Sequence, residues 1–110
     1  MEITQRELND IIILQIEGDL ETNTAPDAEN FIAGLLEQKK MKILINCEKL
    51  DYISSAGLRV LLGTAKQLEA YNGEMRVCSL NETVQEIFDI SGFGTILSVF
   101  ATENEAVSGF

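Results

Sequence analysis

The 110-residue chain contains no histidine. That absence removes Ser-His-Asp and Cys-His catalysis, histidine-ligated zinc and the commonest general base at neutral pH. The serine–lysine alternative fails as well, because Ser54 and Ser55 are followed three places on by Gly57 and Leu58. No G-x-x-x-x-G-K-S/T phosphate loop is present. The nearest glycine-rich piece, SGFG at Ser91 to Gly94, lacks a third glycine and follows a helical pattern, so it reads as a helix stop and a turn. Cysteine is scarce too. Cys47 and Cys78 each end a strand-like apolar run, where cysteine acts as a small buried hydrophobe, and no metal-ligand spacing accompanies them. Neither an enzyme nor a metal or cofactor site is expected, and a reducing compartment, the cytoplasm, fits best.

Basic residues are few: 8 against 18 acids, a formal charge of −10. Such a surface repels phosphate backbones and anionic lipid heads, so neither nucleic acid nor a membrane surface is expected as a partner. A protein partner would bring a basic face. No apolar run approaches the ~20 residues of a membrane span. The N-terminal MEITQRELND has neither a basic patch nor an apolar core, and no cleavable signal is expected. With 45% hydrophobic and 24% charged residues and one proline, the composition is that of a folded protein, and 110 residues make one domain, 1–110.

What is present reads as alternating strands and helices. EITQREL and IIILQIEG, separated by Asn9-Asp10, form a hairpin whose second, β-branched strand is the more buried. Thr24 is placed to cap a helix with Pro26 in its first turn and Asp27 as a weak capping box. Ala28, Phe31, Ile32, Leu35 and Leu36 make its apolar stripe, and Lys39 and Lys40 suit its carbonyl end. KILIN is a buried strand. Leu58, Leu61, Leu62, Ala65 and Leu68 mark a second helix that stops near Asn72-Gly73. EMRVCSL is another strand, and Asn81 can cap a third helix through Val84, Ile87 and Phe88 that ends at Gly92. TILSVF reads as a last strand and ENEAVSGF as a closing helical turn. The fold class is α/β: a mixed, mostly parallel sheet opened by an antiparallel hairpin, with about four helices packed on it.

The informative stretch is DYISSAGLRVLL, Asp51 to Leu62, where a strand gives way to the second helix. Either serine can cap that helix. Capping does not explain Gly57, which in a helix interior costs about 1 kcal/mol relative to alanine. Its missing side chain points to something approaching the backbone, either a neighbouring strand or a visiting protein. Loops leaving the carboxyl ends of strands form the ligand-facing edge of an α/β sheet, which is where these serines fall. A hydroxyl there is also well placed to carry a phosphate, since free N–H groups and the helix dipole favour a dianion.

YISSAGLRVLL after a short parallel strand resembles the signature of STAS domains, the fold of bacterial anti-sigma factor antagonists. IEGDLETNTA is similar to the family's acidic turn, and GEMRVCSLNETVQEIFDISGF to its later strand-helix segment. The resemblance covers nearly the whole chain. It implies a binding switch. The dephosphorylated antagonist binds an anti-sigma factor that is also a serine kinase, frees a sigma factor, is released when phosphorylated, and is reset by a serine phosphatase. Matched motif to motif, the acceptor falls on Ser55. The preceding residue is often Asp in this family and is Ser54 here, which leaves Ser54 as the alternative acceptor. The resemblance implies a partner-binding face including Asp19, Glu21, Asp51, Ser54, Ser55, Ala56, Gly57 and Arg59, in a protein acting as a monomer. Arg59, four residues after Ser55, is on the same helical face, and Tyr52 belongs either to this patch or to the core. Two other readings stand beside it. One is a STAS-like scaffold or transporter-associated subunit with an unmodified docking edge. The other is a nucleotide-binding or catalytic protein using Ser55 as nucleophile, for which no base is available.

Overall fold

A computed structural model of the chain describes residues 1–110. β1 (Glu2–Leu8) and β2 (Ile11–Leu20) form the opening antiparallel hairpin, with Asn9 in the left-handed region at its turn. β2 is the central strand. β3 (Lys42–Asn46) pairs parallel with its first half, and β4 (Leu50–Ile53) pairs parallel with its far end. β5 (Glu74–Cys78) and β6 (Ser98–Phe100) complete the order β1-β2-β3-β5-β6. The helices are α1 (Ala25–Glu37), α2 (Ser55–Ala70), α3 (Glu82–Ser91) and α4 (Glu103–Val107).

The alternation of a strand explains why β2 is apolar on consecutive residues: both of its faces are covered. Ile12, Leu14 and Ile16 join Ile43, Ile45 and Val77 in the main core beneath α1, α2 and α3, where Ile32, Leu61 and Phe88 are buried. Ile11, Ile13, Leu44 and Cys78 face the other way, against Ala106 of α4. That second face has a thin cover, and Arg76 fastens it. Its guanidinium donates to the carbonyls of Ala106 at 2.9 Å and Ser108 at 3.0 Å, and lies over the rings of Phe100 and Phe110. Cys47 and Cys78 are free and buried, in the two different cores, and burial raises the pKa of both thiols.

Several expectations are corrected. β4 was not expected: the sequence places the serine joint directly after β3. LDYI is four residues with an exposed Asp51 and Tyr52 in its middle, and it becomes a strand because the end of β2 supplies its partner. The last strand is shorter than TILSVF, since Phe93–Thr95 wind into a 3-10 turn after Gly92, which takes a left-handed φ of 79°. Thr24 does not cap α1 through its side chain, and Asp27 forms no capping box. The Thr24 hydroxyl instead donates to the Asp19 carbonyl at 2.8 Å and accepts from the Glu21 N–H at 2.9 Å. Lys39 and Lys40 lie beyond the last turn of α1. Lys39 is left-handed, with φ 60°, and its N–H and that of Lys40 bond the Leu36 and Leu35 carbonyls. α2 closes by the same motif with Asn72 in the left-handed position. Phe31 is exposed at the margin of its stripe.

Candidate functional site

The site is assembled where β2 and β4 end together. A bulge at Gly18/Asp19 carries β2 past β3 and onto β4, setting Asp19 opposite Tyr52 and Leu20 opposite Ile53. The Ser54 N–H then donates to the Leu20 carbonyl at 2.9 Å, and the chain turns into α2. Ser54 is the N-cap in extended conformation (φ −95°, ψ 177°), its Oγ accepting the Gly57 N–H at 3.4 Å, a long and therefore weak cap. Ser55 occupies the first helical position. It is exposed, and its hydroxyl makes no hydrogen bond within the protein. Of the two serines, Ser54 serves the helix and Ser55 is free.

Gly57 is answered by the neighbouring strand. It is buried, and a Cβ there would stand 2.6 Å from the Leu20 carbonyl oxygen and 2.8 Å from Ile53 Cγ1. It therefore shapes the site from beneath and offers little surface of its own. Ala56 beside it is half-buried and packs against the main core. Arg59 is exposed one turn along α2 and lines the groove between α1 and α2 with Glu29.

The acidic residues named from the sequence lie on the elements that lead into this joint: Asp19 stands opposite Tyr52 across β2 and β4, Asp51 is on β4, and Glu21 follows β2. Asp19 and Asp51 are exposed and Glu21 is half-exposed. The turn carrying Asp19 and Glu21 is held by the two Thr24 bonds and by the Asn23 N–H donating to Glu21 Oε1 at 3.2 Å. On the opposite side lies α3. Asn81 caps it, its Oδ1 accepting the Val84 N–H at 2.8 Å, while its Nδ2 donates to the Leu50 carbonyl of β4 at 3.0 Å. That bond ties α3 against β4 and closes a shallow apolar groove of ≈ 270 Å³ lined by Tyr52, Ser54, Ser55, Leu58, Ile87 and Ile90. Tyr52 is 44% exposed and belongs to this patch.

Sequence reading did not single out Ile90, which is 80% exposed, or the second role of Asn81. A signal for Ile90 was available: an isoleucine off the Val84–Phe88 stripe of a helix has no core to enter. A larger hollow of ≈ 770 Å³, lined by Leu36, Met41 and Tyr71 among others, lies at the far end of α2 and shares no residue with the serine patch.

Fold and site together define a class: a small α/β domain that presents an exposed, unbonded serine beside an apolar groove. The chain belongs to the STAS domain family, whose model matches residues 2–106. BtrV of Bordetella bronchiseptica, a candidate anti-sigma factor antagonist by name, is 34% identical over 110 residues, covering 100% of this chain and 95% of that protein. The crystal structure of a candidate anti-sigma factor antagonist from Thermotoga maritima superimposes with a TM-score of 0.92 at 20% identity, over 96% of this chain and 92% of that one. The Bacillus cell-fate determinant SpoIIAA in its phosphorylated form gives a TM-score of 0.74 at 24% identity, over 97% of both chains. The likeness to BtrV over the whole chain places it with the anti-sigma factor antagonists, regulatory proteins that are not enzymes, and the two solved structures share its fold. No helix is long and apolar enough to cross a membrane.

Proposed function

We propose that this protein is a cytoplasmic, monomeric anti-sigma factor antagonist switched by phosphorylation of Ser55. Unphosphorylated, it docks on an anti-sigma factor that is also a serine kinase and so releases a sigma factor. Phosphate transferred to Ser55 ends the complex, and a serine phosphatase restores the binding form. The observation that carries this reading is the division of labour between the two serines: Ser54 is spent on the helix cap while the Ser55 hydroxyl is exposed and unbonded. The partner face comprises Asp19, Glu21, Asp51 and the Tyr52–Ile90 groove. A phosphate adds about −1.5 to −2 charge to that patch and so opposes any carboxylate or apolar surface the partner sets against it. That a protein of this fold exists in phosphorylated form supports the reading.

The test is to incubate the protein with its cognate kinase and ATP and to locate the phosphate by peptide mass spectrometry. Ser55 should carry it and Ser55→Ala should abolish it. In calorimetry Ser55→Ala should keep kinase binding, whereas Ser55→Glu should weaken it by about tenfold or more. Phosphate on neither serine, or equal affinity of the two variants, would reject the switch. Capture of a permease by the unmodified protein would instead favour the docking-edge reading.

A further inference from the structure

Resting on the reading of Ser55 as the acceptor, we propose that Arg59 holds the phosphate once Ser55 carries it, so that the chain itself shapes its off state. Ser55 and Arg59 are four residues apart on α2 and both are exposed, the spacing at which helical side chains meet. Of the seven other Lys and Arg residues, four are engaged: Arg6 with Glu103, Lys40 with Glu7, Lys42 with Asp10 and Arg76 with Glu74. Lys39, Lys49 and Lys66 are unpaired, but none of them stands within one helical turn of Ser55 on α2. Arg59 pairs with no carboxylate. Glu29 of α1 shares its groove without forming an ion pair to it. Nor does α2 supply a competitor, for its first turn contains no acid, whereas Asp27, Glu82 and Glu103 occupy the first turns of α1, α3 and α4. Asp19, Glu21 and Asp51 come from other elements, and any of them approaching a phosphate would repel it. A guanidinium one turn away is therefore the partner within reach, and its planar fork suits phosphoryl oxygens. Arg59 is a positioning residue for the modified state.

The experiment uses the full chain with phosphoserine incorporated at position 55 during translation, so no kinase is needed and failure of kinase transfer to Ser55 remains a separate result. The phosphate's second ionisation is followed by ³¹P NMR in the parent, Arg59→Gln and Arg59→Lys proteins. A neighbouring cation favours the dianion, so the midpoint should rise by about 0.2–0.4 pH unit in Arg59→Gln. Arg59→Lys should recover part of that shift, and added salt should shrink the difference. Identical midpoints in the parent and Arg59→Gln proteins would overturn the assignment. So would a fall in the melting temperature of unphosphorylated Arg59→Gln, which would make Arg59 a structural residue.

Discussion

Replacing Gly57 by alanine isolates the contact on which the site is built. The new methyl group would stand 2.6 Å from the Leu20 carbonyl oxygen, 2.8 Å from Ile53 Cγ1 and 2.9 Å from Leu20 Cγ. None of these can yield freely. Leu20 and Ile53 are fully buried and paired in register, and the carbonyl already accepts the Ser54 N–H at 2.9 Å. Overpacking of this kind costs about 1–3 kcal/mol. Against it stands alanine's helix preference over glycine, at most about 1 kcal/mol and less in a first turn. The net expectation is a loss of about 1–2 kcal/mol, or a melting temperature lower by about 4–12 °C. Gly63, on the same helix, supplies the control, because a Cβ there meets nothing within 4 Å. Gly63→Ala should raise the melting temperature by about 2–6 °C through propensity alone. Thermal melts with urea titrations of both variants decide the matter. The packing argument is refuted if Gly57→Ala melts at or above the parent, or if both variants shift alike.

Ile90→Ser should leave the melting temperature close to that of the parent, since the side chain is 80% exposed. It should nevertheless weaken kinase binding in calorimetry by about fivefold or more, and unchanged affinity would remove α3 from the partner face. Glu103 gives a pH test. The Arg6 side chain bonded to it, together with the Asn46 amide at 2.9 Å, holds its carboxyl below the ordinary 4.5. A lowered carboxylate pKa contributes stability that is present above the ordinary value and is lost as pH falls through the folded one. Melting temperature should therefore drop more steeply below pH 4.5 in the parent than in Glu103→Gln. Parallel curves would show that the contact to Arg6 does not hold α4 down.

Much of this was legible locally. The β-branched run of Ile11–Leu14 read as the more buried strand of a hairpin, and the Asn81 cap with Gly92 bounded α3 correctly because both act within one turn of their own position. The serine pair announced a helix start, and Gly57 announced a close approach without saying by what. β4 was illegible because LDYI is only four residues long, lacks an alternating apolar pattern, and pairs with the far end of β2, about thirty residues earlier in the chain. Lys39 and Lys40 misled because their charge suits a helix end, while the backbone had already turned there.

The amino-acid order by itself determined the alternation of strands and helices, the absence of histidine chemistry and the excess of acidic residues. These follow from side-chain chemistry and from periodicity over a few residues. The choice between Ser54 and Ser55 as the helix cap was decided by the tertiary structure, as were the burial of Gly57 against Leu20 and the exposure of Ile90 beside Tyr52. Each of these depends on where β2, β4 and α3 meet. That meeting is set by the packing of elements distant in the chain, whose mutual distances no local pattern records.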